Sequence, residues 1–437
     1  MSLHKFSMCV LMTQCGKTFM SIESMKQRLE HDPTSVHVVY TMNTLLNNHQ
    51  FAKRLETIEQ TYGAGSILVF TSAYKGIYRH AKNKTKFDAM VDARMPRVIV
   101  MCSNPTRFEE GHAWVHAMCH THPHTPIHLY YDELHQYLKK PMRNALEALH
   151  ALPNVASILA MTATPNAIIQ KRGPWSTLRL IASDHVALDD YLNVDDMEVH
   201  PNPTYFPFPY HKPAFNDFDT MDEETLGFIE HTLSRHPEML APGVRCFVPA
   251  HIRRVGHIRV RDLMWSKCPT AVVVMINGVE KNVQFKVDDE ITTVSLVCNM
   301  EVSHRIADIL TEHGLMARPL FMTGYLCVGM GQTLMHPSYG NFTHAILSHM
   351  NVNNDSIYQL FGRLTGRVKR WDTYQRTQLY CPTPVWNRIK VMERCASDAM
   401  KKIHLSKHEY ELPMDTMPEG VDVRDNQKQP VVEVVEE

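Results

Sequence analysis

The 437-residue sequence has no Cys-x-x-Cys pair; its ten cysteines are scattered singly. That excludes a zinc ribbon and a disulfide-stapled secreted scaffold, and the expected compartment is a reducing, intracellular one. No apolar run approaches the roughly 20 residues that span a bilayer, so no membrane partner is expected. The N-terminus lacks the apolar core and cleavage pattern of a signal peptide. Net charge is also nearly absent, at −1. Contact with a polyanion must therefore come from local patches, because no global basic field exists.

The length is too great for one ordinary core and fits two domains of about 150–200 residues with connections. A hydrophobic fraction of 44% and a charged fraction of 21% are ordinary globular values. Histidine is frequent, at 27 residues. The chain therefore turns clearly positive a little below neutral pH.

In the first half, short β-rich runs alternate with helical stretches. The runs are Phe6–Met12, Val36–Tyr40, Ser66–Phe70, Arg97–Met101, Ile127–Tyr131 and Ser157–Met161. A second alternating block comprises Val244–Val248, Thr270–Ile276, Thr293–Cys298, Pro319–Met322, Thr343–His349 and Gln378–Cys381. This alternation predicts an α/β fold of two domains, each a mostly parallel sheet with helices on both faces. The expected boundaries are 1–183 and 242–384 for the two domains. Residues 184–241 form a Pro/aromatic-rich connector with one helix over Glu223–His236, 385–411 a C-terminal helix, and 412–437 an acidic, disordered tail. The connector's aromatics, as in Phe206-Pro-Phe-Pro-Tyr210, either pin it to the surface or stack on bases.

Three clusters carry chemistry. Met12-Thr-Gln-Cys-Gly-Lys-Thr18 follows an apolar run and precedes a helical one. Such a loop holds phosphate oxygens with its backbone N–H groups and the helix N-terminus. Thr13, Gln14, Cys15 and Gly16 would form the cradle, Lys17 would reach the β- and γ-phosphates, and Thr18 would ligate Mg²⁺. The opening glycine of the full pattern falls on Leu11, and Gln14 occupies a loop position where glycine is common. About 115 residues on, Leu129-Tyr-Tyr-Asp-Glu-Leu-His135 delivers two adjacent carboxylates at a strand end. Asp132 can hold Mg²⁺ through water, and Glu133 can orient and deprotonate an attacking water. Gln359-Leu-Phe-Gly-Arg-Leu-Thr-Gly-Arg367 places a glutamine and two arginines on what is expected to be one short helix.

In order and spacing these clusters resemble the motifs of superfamily 2 helicases of the Asp-Glu-x-His branch. The resemblance covers residues 10–370 and extends to Thr162-Ala-Thr164, Val244–Ala250 and Thr323–Thr333. Among its members the compact helicases of large DNA viruses and phages are similar in lacking a large accessory domain. The resemblance implies two RecA-like domains that hydrolyse Mg·ATP in the cleft between them. Lys17, Thr18, Asp132 and Glu133 would serve on one side, with Gln359, Arg363 and Arg367 reaching across. His135, Thr162 and Thr164 would couple the domains. Single-stranded or forked DNA or RNA would lie across Thr41, Asn43, Thr71, Ser72, Ser103, Asn104, Thr323 and Gly324, although a Thr or Asn after a strand also caps helices.

Two features depart from or add to the pattern. Arg367 lies four residues after Arg363, where the family pattern has three. His112, His116, Cys119, His120, His122, His124 and His128 invite a zinc reading, but without a second cysteine pair, in a stretch where a surface insertion is expected. Arg253, Arg254, Arg259 and Arg261 form a basic helix face, either solvated or touching phosphate. The functional expectation is an ATP-dependent helicase or translocase. Its rivals are a nucleic-acid-stimulated ATPase that remodels complexes without unwinding, and a catalytically inactive nucleic-acid-binding scaffold.

Overall fold

The computed structural model describes residues 6–41, 45–74, 76–134, 140–163, 177–181, 189–207, 209–214, 216–297, 300–325, 328, 333–405 and 409–413. The calls on Asn43, His135, Thr164 and the tail beyond residue 413 lie outside them.

The first sheet is built from β1 (Phe6–Val10), β2 (Val36–Thr41), β3 (Ile67–Phe70), β4 (Arg79–Ala81), β5 (Val98–Cys102), β6 (Ile127–Asp132), β7 (Val155–Thr162) and β8 (Thr177–Ile181). Runs such as Val36-His-Val-Val-Tyr-Thr41 and Val98-Ile-Val-Met-Cys102 are buried along their whole length. Sheets covered on both faces favour such unbroken β-branched runs. The spatial order is β8-β1-β7-β6-β2-β5-β3-β4, all parallel. Helices α1 (Lys17–His31), α2 (Leu45–Lys53), α3 (Glu56–Tyr62), α4 (Lys84–Ala93), α5 (Pro105–Thr121) and α6 (Lys140–Ala151) connect these strands. Two hydrophobic clusters fill this unit: Phe6, Tyr40, Ile99 and Trp114 belong to one, Ile22, Val39, Val69 and Tyr130 to the other.

After the short strand β9 (Tyr191–Leu192), the second unit is formed by β10 (Glu198–Asn202), β11 (Arg245–Phe247), β12 (Val272–Ile276), β13 (Lys281–Val287), β14 (Glu290–Ser295), β15 (Leu320–Gly324), β16 (His344–Ile346) and β18 (Gln378–Pro382). Their order is β10-β18-β16-β11-β15-β12-β13-β14, parallel except for the antiparallel β12–β13–β14 meander at one edge. Helices α7 (Phe218–Arg235), α8 (Arg254–Lys267), α9 (Val302–Glu312), α10 (Asn354–Phe361) and α11 (Thr383–Leu405) belong here. The fold class is as expected in its architecture: two α/β units, each built on a mostly parallel sheet.

Several details differ from the sequence reading. The span 184–241 supplies β10, which pairs in parallel with β18 at the sheet edge. Its aromatics form a cluster in which Tyr205 and Phe206 pack on Phe228 of α7. The helix expected over Glu223–His236 begins earlier, at Phe218, because the Asp217 carboxylate accepts from the Thr220 N–H and caps it. Residues 409–411, expected in the C-terminal helix, belong to β19 (Glu409–Pro413), which pairs antiparallel with the otherwise open edge of β8. No insertion precedes β6. His112 is buried on α5 against Tyr40, Phe108 and Tyr131, and its Nε2 lies 3.1 Å from the Tyr131 hydroxyl. Among the described residues no group of three or more His, Cys, Asp or Glu side chains could hold a metal ion. The described cysteines are all free, and all but Cys395 are buried.

Helix α11 touches both cores. Val385, Ile389 and Met392 join the cluster of the second unit, while Ala396 joins that of the first. Between them the Tyr358 hydroxyl donates to Glu393 at 2.5 Å.

Ile99 is fully buried at the centre of β5. Ile99→Ala should therefore cost about 2–5 kcal/mol of the first unit's stability, read as a lower midpoint in chemical denaturation.

Candidate active site between the two sheets

β1 lies between β7 and β8 and aims its C-terminal end at α1. The turn between them needs two residues in the left-handed region, Gln14 (φ 57°) and Gly16 (φ 95°). This accounts for glycine being common at the position of Gln14: a side chain there carries strain of order 1 kcal/mol. Gly16 is the N-cap of α1, with no side-chain cap and no acidic residue in the first turn. The positive end of the helix thus faces the loop uncompensated, a setting suited to an anion. The Lys17 ammonium folds over the loop, 3.4 and 3.3 Å from the Leu11 and Met12 carbonyls and 3.8 Å from Glu133 Oε1.

The carboxylates come from the neighbouring strand end. Asp132 closes β6, and Glu133, one residue on, is buried with φ 53°. That left-handed turn is held by the Glu133 N–H donating to the Met161 carbonyl at 2.8 Å. The Thr162 hydroxyl, fully buried at the end of β7, donates to Glu133 Oε2 at 3.3 Å. Burial and the adjacent Glu133 push the Asp132 carboxyl up from its usual 3.8 to about 7, while Lys17, Arg54 and Arg363 pull it down. Backbone strain and two crowded, buried carboxyls thus meet at one strand end.

The second unit closes on this site through the segment after α10. The helix ends at Phe361, so Gln359 lies on it, Arg363 in the following turn, and Gly366–Arg367 on β17, which pairs with β9. One short helix for all three is therefore incorrect. The chain turns at Gly362 and again at Gly366 (φ 142°). Arg363 is 3% exposed and lies within the field of Glu133 and Asp132; burial lowers its pKa to about 10 against their pull. Gln359 is equally buried, and its Nε2 has no hydrogen-bond partner among the described residues. Arg367 points elsewhere: it is half-exposed and paired with Asp190 at 3.0 Å.

Between these halves runs a direct contact. The Gln14 carboxamide donates to the Gly362 carbonyl at 2.8 Å, and the Thr13 and Thr365 hydroxyls are 2.9 Å apart. A Cβ on Gly362 would fall 2.5 Å from Thr13. The Tyr191 hydroxyl of β9 donates to the Thr13 carbonyl at 2.6 Å. Further out, Arg54 pairs with Glu301 at 2.8 Å. Tyr191, Asp190 and Arg54 carry no local sequence signal. Thr365 sits inside the arginine cluster, where its placement between two glycines is the one available cue.

The residues expected on a strand path do sit at C-terminal strand ends, but most are turned inward. The Thr41 hydroxyl is buried and donates to the Met101 carbonyl. Thr71 is buried and donates to the Ala73 carbonyl, while Ser72 beside it is exposed. Ser103 and Thr323 are buried with no hydroxyl partner among the described residues. Asn104 caps α5 by accepting from the Arg107 N–H. Gly324 lets β15 approach β12, since a Cβ there would fall 2.4 Å from the Ile276 carbonyl oxygen. Arg253, Arg254, Arg259 and Arg261 pair with Asp222, Glu280, Glu223 and Asp262, so this basic face is internally neutralised.

No protein-family model matches the sequence, and no curated protein matches it. Among solved structures the chain is similar to the DUF1998 helicase MrfA bound to DNA and AMPPNP, with 11% identity and a TM-score of 0.49 over 91% of this chain. It spans only about half of that protein, 48%. It is also similar to the DEAD-box helicase Mss116 bound to single-stranded RNA and UDP-BeF (11% identity, TM-score 0.48, covering 87% of this chain and 67% of that one). A third is S. cerevisiae Dbp5 bound to RNA and ADP BeF3 (10% identity, TM-score 0.47, covering 91% and 89%).

Two expectations follow. Because the fold raises the Asp132 pKa, the native state holds a proton there that the unfolded chain has released. That contribution is present at low pH and is lost as pH rises from about 4 through about 7. Asp132→Asn should therefore raise the melting temperature more at pH 8 than at pH 5; equal gains would place the charge effect elsewhere. Gly362→Val should force the Thr13 contact apart and increase the radius of gyration measured by X-ray scattering, with both units still folded.

Proposed function

We propose that the chain is an ATP hydrolase of the superfamily 2 helicase type, driven by nucleotide bound between its two units and acting on a DNA or RNA strand. The observation that carries this reading is Arg363: a buried arginine of the second unit set in the field of two carboxylates of the first, beside a loop built for phosphate. The order of the sequence motifs supports it.

Thr13 to Thr18 would cradle the phosphates, with Lys17 swinging from the loop carbonyls and Glu133 to the transferred group. Thr18 and Asp132 would hold Mg²⁺; an oxygen-only pair at a strand end and helix start suits it, and Asp132's raised pKa would be relieved by a cation. When bound, the ion supplies charge neutralisation on the phosphate oxygens. Glu133, fixed by Thr162, would orient water and accept its proton. Arg363 would stabilise charge developing in the transition state, and Gln359, with its amide nitrogen unmet, would hydrogen-bond at the same centre. Thr162 and Thr164, with His135, would couple the carboxylates to the strand path. Arg367, held by Asp190, would reach the cleft only if that pair opens.

The loop and Arg363 would hold the nucleotide from opposite units, so its turnover would open and close the units and move the grip along a strand. The strand would run over the exposed Ser72 and the backbone at residues 41, 103–104 and 323–324. Forked substrates in a strand-displacement assay separate unwinding from translocation or remodelling.

Arg363→Ala should lower hydrolysis by roughly 10³–10⁵ while nucleotide affinity stays within a few-fold. Lys17→Ala should lose both. Equal loss of affinity in the two variants would show that Arg363 does not act from across a cleft. Absence of ATP hydrolysis with every DNA and RNA strand tested would refute the enzyme reading.

A further inference from the structure

A pocket of about 40 Å³ lies between the two units, lined by none of the phosphate-loop residues. One side is formed by α2 and by residues after β3, the other by Met300 and Glu301 just before α9. Tyr74, Tyr78, Ile77 and Met300 give it aromatic and apolar walls, and His49 stands edge-on to Tyr74 at 4.8 Å. Ile77 and Met300, one from each unit, are 72% and 44% exposed and line the pocket.

Gln50 also lines the pocket. It is 4% exposed, and neither the nitrogen nor the oxygen of its carboxamide has a partner among the described residues. The Tyr78 hydroxyl, in the same wall, is unmet as well. Buried amides are almost always satisfied at both ends, so a group left open at both, facing a pocket, is matched by a ligand offering an acceptor beside a donor.

The chemistry narrows the ligand. The charged groups in the walls, Lys53 and Glu301, are already paired with Glu56 and Arg54, so neither calls for an ionic ligand. The volume admits the edge of one planar ring but not a nucleotide. An aromatic peptide side chain would fill the apolar walls yet leave the Gln50 carboxamide unmet. The edge of a nucleobase satisfies all three, and a glutamine carboxamide pairs with adjacent donor and acceptor atoms of a base. The pocket's first-unit wall comes from α2, which follows β2 in the chain, and from the segment between β3 and β4.

We propose that this pocket receives the edge of one unstacked base of a bound single strand. Gln50 pairs with that edge, while Ile77 and Met300 press against the neighbouring bases. This rests on the strand-binding reading of the cleft and adds a base-reading contact to it. Since the walls belong to both units, the base is gripped only when they are together.

The test uses the full chain with 12-nucleotide DNA and RNA strands in which one 2-aminopurine is moved stepwise along the sequence. One position should brighten on binding, as the base leaves the stack. Gln50→Leu should abolish that signal and weaken binding about tenfold. Ile77→Ser, on the exposed rim and harmless to folding, should reduce the brightening. Strand binding without brightening at any position overturns the proposal, as does brightening unchanged in both variants. A protein that binds no strand at all overturns the strand-binding reading itself, and this proposal with it.

Discussion

The structure turns on the approach of Thr13 to Gly362. One side chain of the phosphate loop occupies the space in which any other residue at 362 would carry its Cβ. Because that space is free, Gln14 reaches the Gly362 carbonyl, the Thr13 and Thr365 hydroxyls meet, and Arg363, one residue on, is carried into the field of Glu133. Lose that approach and the two halves of the site are separate surfaces: a loop with a lysine on one, an arginine in a turn on the other.

The same contact explains the unfavourable features around it. Gln14 and Glu133 both hold a left-handed backbone that glycine would adopt more easily. Gln14 recovers that strain through its hydrogen bond across the cleft, and Glu133 through Thr162 and Lys17. Asp132 and Arg363 are each driven toward neutrality by burial, and each is held toward its charged form by the other side. The balance between charge and burial at the site therefore depends on both units.

The two alternating blocks, the loop at residues 13–18 and the Asp132–Glu133 strand end were legible in the sequence, because unbroken apolar runs and fixed chemical spacing are local properties. The twelve runs read that way correspond to β1, β2, β3, β5, β6, β7, β11, β12, β14, β15, β16 and β18, with bounds shifted by at most three residues. The rest depended on contacts between distant segments. Helical spacing put Arg363 and Arg367 on one face, yet the chain leaves the helix at Gly362 and Asp190 takes Arg367. The histidines near residue 112 suggested ligands, while burial against Tyr40 and Phe108 is a tertiary fact. β10 and β19 complete sheet edges and have little pattern of their own.

Helix α11 has a mechanical consequence. Its first turns are anchored in one hydrophobic core and Ala396 in the other, and the chain then continues into β19 on the far sheet. A rod fastened at both ends cannot lengthen. The units can therefore swing about α11 as about an axle, but cannot draw straight apart without uprooting one anchor. Such a geometry converts any widening of the cleft into rotation, with the smallest displacement beside the helix and the largest at the β13–β14 rim.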